Sequence, residues 1–175
     1  MFAPLASVLA PWREFYGLVG TAAAALVALL FVAASIGAGT LSVERAAATR
    51  TYMSPIVCHF TGVLFVCAIG LVPSHTGASF GLLIGLSALA GLVYSGAILM
   101  RVLKDGGIDW ADRLGYGVGP LVGYVAALAA AELFFVGSRR APNVLAGALL
   151  LLLIINIRNA WDLALFLARK RTGSS

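Results

Sequence analysis

The run Ile157-Arg158-Asn159-Ala160-Trp161-Asp162 sets a guanidinium, an amide and a carboxylate inside an otherwise apolar stretch. Neither Val144 to Ile155 before it nor Leu163 to Ala168 after it holds a charged residue. Arg158 and Asp162 stand at the i,i+4 spacing at which helical side chains pair, and Asn159 shares their arc of about 100°. A charge at the centre of a membrane helix costs about 2.5–3.5 kcal/mol, so such groups are paired or functional. His59, in Cys58-His59-Phe60, is a second titratable group in an apolar block, and Glu132 is a third. Together His59 and Asp162 have the chemistry of an acid–base pair, provided the fold brings them within hydrogen-bond reach.

Other chemistries find less support. Cys58 beside His59 suggests a metal, but helical neighbours point about 100° apart, and the other histidine, His75, belongs to a distant turn. No metal or other cofactor is expected. Cys58 and Cys67, nine positions apart in one block, fall on opposite helix faces some 13 Å apart, too far for a disulfide. Gly115-Tyr116-Gly117-Val118-Gly119 lacks the strand–turn–helix setting of a dinucleotide loop, and no hydrolase elbow, paired-histidine helix or phosphate-binding loop is present.

The elements that must position these residues follow from composition. Of 175 residues, 61% are hydrophobic and 11% charged, and mean hydropathy is +1.00; a soluble domain carries about 25% charged residues. The apolar residues come in blocks about 20 long, the length that crosses a hydrocarbon core roughly 30 Å thick. We expect one all-α membrane domain over residues 1–175, a bundle of five transmembrane helices at about 15–38, 54–73, 79–103, 113–136 and 142–168. Ser54-Pro55 reads as the start of the second, and Pro120 should loosen the fourth. Residues 4–12 are expected along the membrane surface, with Trp12, Phe15 and Tyr16 as interfacial anchors and no cleavable leader. Barrel strands alternate apolar and polar residues, and these blocks do not.

Cations give the direction. One side carries Arg13, Arg139 and Arg140; the other carries Arg45, Arg50, Arg101, Lys104, Arg113, Arg169, Lys170 and Arg171. Cytoplasmic loops accumulate Lys and Arg, so the N-terminus is expected outside and the C-terminus in the cytoplasm, in a bacterial inner membrane. The lipid bilayer is the expected partner; no basic stripe interleaved with aromatics points to nucleic acid. The loop 104–112 offers a solvated turn or a docking point. His59 lies about 8 Å into its helix and Arg158 about 24 Å along the last one, so His59, Arg158, Asn159 and Asp162 share the inner leaflet as a candidate polar cluster. Three arrangements remain open: Arg158 reaching to headgroups, a network joining His59 to the last helix, or a site for protons, ions, headgroups or substrate. Glu132, a candidate outer site, either pairs with Arg139 or Arg140 or serves as a proton, cation or subunit contact.

Small residues recur at every fourth position: Gly77, Gly81 and Gly85 in the third helix, Gly115, Gly119, Gly123, Ala127 and Ala131 in the fourth. Ser87, Gly91 and Ser95 mark a second face of the third. In lipid such stripes let backbones approach closely, either within the chain or in a homo-oligomer or a complex with another membrane protein.

Phe15-Tyr16, Gly20-Thr21-Ala22-Ala23-Ala24, Leu29-Leu30-Phe31-Val32-Ala33, Pro55 with His59-Phe60, and the closing Ile157–Asp162 run resemble a group of small uncharacterised bacterial multi-pass membrane proteins. The resemblance implies an inner-membrane location and brings no catalytic or binding role to any residue. The residues favour a non-enzymatic structural or accessory subunit, with a small oligomeric transporter or channel and a membrane-embedded enzyme acting on lipid as alternatives.

Overall fold

The computed structural model describes residues 5–38, 43–104 and 113–172. Among them no strand occurs, and the helices are α1 (Leu5–Leu9), a 3₁₀ turn (Ala10–Trp12), α2 (Arg13–Ala38), α3 (Val43–Leu71), α4 (Gly77–Lys104), a π segment (Arg113–Val118), α5 (Gly119–Phe135) and α6 (Ala141–Thr172). Apolar runs long enough to cross a membrane cover Leu5–Ser35, Met53–Leu71, Gly77–Arg101 and Ala141–Leu165; Gly119–Phe135 is a shorter apolar helix. Four helices of that length and apolarity mark a membrane protein.

Two boundaries depart from expectation. Pro55 lies inside α3, which begins well before it at Val43. A proline within a helix removes one backbone donor, but Val43-Glu44-Arg45-Ala46-Ala47-Ala48 is rich in strong helix formers, so the helix extends past the apolar block on a polar arm. The fourth helix is divided, its first part a π segment that ends just before Gly119-Pro120. Residues 105–112 of the expected docking loop lie outside the described residues.

The α5–α6 turn has a specific cause. Gly137 takes φ 66°, in the left-handed region, where a Cβ is disfavoured. Its N–H bonds to Phe134 O at 3.2 Å and that of Ser138 to Leu133 O at 2.9 Å, the paired bonds of a Schellman cap. The α3–α4 turn closes with a reciprocal cap: Ser79 N–H donates to Thr76 Oγ1 (3.1 Å) and Thr76 N–H to Ser79 Oγ (2.9 Å).

Helices α3, α4, α5 and α6 form a ring, each packed on the next and α6 back on α3, and α2 lies outside against α3 and α6. Successive helices run antiparallel. A Cβ added at Gly77 would lie 3.1 Å from Phe134 O, and one at Gly81 2.9 Å from Ala131 O, so the third-helix stripe meets α5 of the same chain. Gly20 faces Cys67 in the same way, and Gly70 abuts the ring of Tyr16. Tyr16 is fully buried there, not an interfacial anchor; Trp12 and Phe15 are half-buried and stack edge to face at 5.7 Å.

Many large apolar side chains point outward while others, Phe60, Phe80, Ile84 and Leu149 among them, fill the core. Leu18, Leu29, Phe31 and Val32 of α2 and Leu82, Leu86, Leu89, Val93 and Met100 of α4 are exposed, whereas His59, Ser95, Asn156 and Asn159 are buried. A water-soluble monomer rarely exposes apolar patches beyond a few hundred Å². In hydrocarbon the arrangement is favourable, because polar groups find partners only inside.

Candidate functional site

The buried polar groups lie toward the end of the ring opposite the α3–α4 and α5–α6 turns. His59 is held on α3, one turn beyond Pro55. Its Nδ1 shares a 2.8 Å hydrogen bond with the hydroxyl of Tyr124 on α5. Tyr94 of α4 presents its ring edge-on to the imidazole, with centroids 6.0 Å apart. Gly91 makes room for Tyr124: a Cβ there would overlap the phenol ring. Gly62 lies under the hydroxyl, its would-be Cβ 3.6 Å away. Gly91 of the Ser87-Gly91-Ser95 face is thus the seat of a tyrosine, and Ser95 is itself fully buried.

A second polar junction joins α6 to the π segment. Asn159 donates from Nδ2 to Gly115 O at 2.9 Å. Gly115 is buried under Arg158 and Asn159, since a Cβ there would lie 2.8 Å from both Arg158 Nη1 and Asn159 Oδ1. The backbone explains the choice of acceptor. In an i→i+5 ladder the donor to Gly115 O would be the N–H of residue 120, and proline has none. Asn159 fills that place from the neighbouring helix. One turn back along α6, Asn156 is fully buried and donates from Nδ2 to Leu152 O at 2.7 Å.

The cluster expected from His59, Arg158, Asn159 and Asp162 is therefore divided. His59 and Asn159 are buried but bonded to different partners. Arg158 and Asp162 pair with each other on the outer side of α6, Arg158 Nε lying 3.7 Å from Asp162 Oδ2 with side chains 47% and 40% exposed. Neither a hydrogen bond nor an ion pair joins His59 to Asp162 among the described residues. The sequence did not carry the azimuth of these side chains, and the contacts place His59 beside Tyr124 and Asn159 beside Gly115, at different levels of the ring. Glu132 is exposed near the end of α5, and no ion pair links it to Arg139 or Arg140 among the described residues.

Two contributors escaped the sequence reading. Asn156 had a signal, an amide within Leu149–Ile157, but was passed over beside Arg158. Nothing local in the sequence around Tyr124 pairs it with His59.

The chemistry open to this arrangement is limited by access. His59 Nε2, Ser95 Oγ and Asn156 Oδ1 are buried without hydrogen-bond partners among the described residues. A cavity of about 10 Å³ inside the ring is lined by Gly62, Val63, Ser87, Tyr124, Leu149 and Leu152, with further apolar neighbours. That is room for about one water. Among the described residues no three of His, Cys, Asp and Glu gather as metal ligands. The chain matches no protein-family model, no curated protein and no solved structure.

Proposed function

We propose that the chain is a non-enzymatic structural or accessory component of a bacterial inner membrane. It crosses five times, with the N-terminus outside and the Arg- and Lys-rich loops and C-terminus in the cytoplasm. The fifth crossing is the π segment with α5, whose 17 helical residues span about 25 Å.

One observation carries this reading. Two of the buried polar side chains join neighbouring helices, His59 to Tyr124 and Asn159 to Gly115, beside a cavity with room for about one water. A catalytic base must reach a substrate proton, and a conduit must be lined by groups that replace hydration. Buried polar groups already bonded between helices are suited to a rigid support.

Two measurements test it. Single cysteines at Ser74 and Ser138, in a background lacking Cys58 and Cys67, should react with a membrane-impermeant maleimide in intact cells, while one at Ser174 should react only after lysis; the reverse pattern refutes the orientation. Crosslinking in native membranes should capture the chain with a second copy or another membrane protein. An unpartnered monomer in membranes and across detergents removes the accessory role.

A further inference from the structure

We propose a binding cleft for a phosphate-bearing group, with a phospholipid as its source, at the Arg13 end of the molecule. A cleft of about 40 Å³ lies between the N-terminal turns and the end of α3, lined by Leu5, Leu9, Leu71 and Val72 and by Arg13 and His75. One water needs about 10–15 Å³ by the same measure, so the space suits a cluster of a few oxygens. The lining is two-sided: apolar side chains from α1 and the α3 end on one part, a guanidinium and an imidazole on the other. Arg13 is exposed and forms no ion pair among the described residues. Its fork of donors matches phosphate oxygens two at a time.

His75 is held for the role. Its Nδ1 lies 3.4 Å from Ser79 Oγ, within the Thr76–Ser79 cap, and its ring rests on Phe80 at 6.2 Å. With Nδ1 and one face engaged, Nε2 is left for a ligand. The acids on the helices at this end are Glu14 and Glu132, both exposed, and neither lines the cleft. Trp12, one residue before Arg13, is a side chain that favours the headgroup level, which sets the cleft where lipid phosphates lie. Leu5 and Leu9 would then meet the start of an acyl chain, contacts a free phosphate ion does not use. The cleft is separate from the His59–Tyr124 pair and independent of the supporting role proposed above.

The test uses the full chain, purified and delipidated in detergent, with native mass spectrometry of bound lipid. Phosphatidylglycerol should bind the wild type, and Arg13→Gln with His75→Gln should lower the bound fraction at least about fivefold. Arg139→Gln with Arg140→Gln, cations at the same end but outside the cleft, should leave it unchanged. Equal loss in both variants, or none in the first, overturns the site. Each single cleft substitution sits at the rim and gives the same readout if the double variant does not fold. Inorganic phosphate alone should compete weakly; competition as strong as the lipid's keeps the phosphate chemistry and removes the lipid as its source.

Discussion

At the level of single residues, the polar side chains of the helices differ in what removing them should cost. Tyr124→Phe deletes the hydroxyl that bonds His59 Nδ1 at 2.8 Å and leaves a buried nitrogen without a partner. Interhelical bonds in bilayers contribute about 0.6 kcal/mol on average, up to about 1.7 kcal/mol, and orphaning a buried group costs about 1–3 kcal/mol. We expect a loss of about 1–2 kcal/mol in denaturant unfolding from mixed micelles. Replacing His59 with Leu in the same chain should recover part of it, because both polar groups are then gone. Asp162→Asn should behave differently. Its pair with Arg158 is about half exposed, and exposed i,i+4 pairs contribute about 0.3–0.5 kcal/mol. A change above about 1 kcal/mol in the same assay would mean that the carboxylate has a buried partner. His59 and Asp162 are equally conspicuous in the sequence; burial separates them.

At the level of elements, the π segment and the proline after it form one device with α6. Pro120 supplies no N–H to the preceding turn, and Asn159 donates to Gly115 O in its place. The two positions should therefore be coupled. Asn159→Leu alone should destabilise by about 1–3 kcal/mol, since it strands a buried carbonyl. In a Pro120→Ala background, where the backbone regains its own donor, the same change should cost measurably less. Additive costs in the double-mutant cycle would show that the amide bond and the proline are unrelated. The Schellman turn makes a second, simpler prediction: Gly137→Ala, forced to φ 66°, should lose about 1 kcal/mol of thermal stability, and no such loss is expected at Gly147, where an added Cβ meets open space.

At the level of the whole molecule, packing in the ring is by close backbone approach. The stripe Gly77-Gly81-Gly85 lies against Phe134 O, Ala131 O and the Ala131 side chain, so its partner is α5. Gly81→Leu would drive a branched side chain into a carbonyl 2.9 Å from the first added carbon. Overpacking of this kind typically costs 1–3 kcal/mol, and we expect early melting together with exposure of buried Cys67 to thiol reagents. Gly96, where a Cβ meets open space, is the control; equal sensitivity at the two positions would contradict the α4–α5 contact.

What the chain determines by itself is its solvent and its segmentation. Apolar blocks near the thickness of a bilayer, separated by charged or turn-forming residues, mean helices whatever their neighbours, because hydrocarbon leaves the backbone no other way to satisfy its polar groups. The same rule fails at Val43–Tyr52, where an Ala-rich polar arm extends α3 outside the apolar block. It fails again at Arg113–Val118, where the helix takes the π form just before Gly119-Pro120. Partners are decided only in three dimensions. His59 meets Tyr124 and not Asp162, and Gly115 meets Asn159, because helix rotation about its axis depends on which small residues let which backbones approach, and that choice is made jointly by the four helices of the ring.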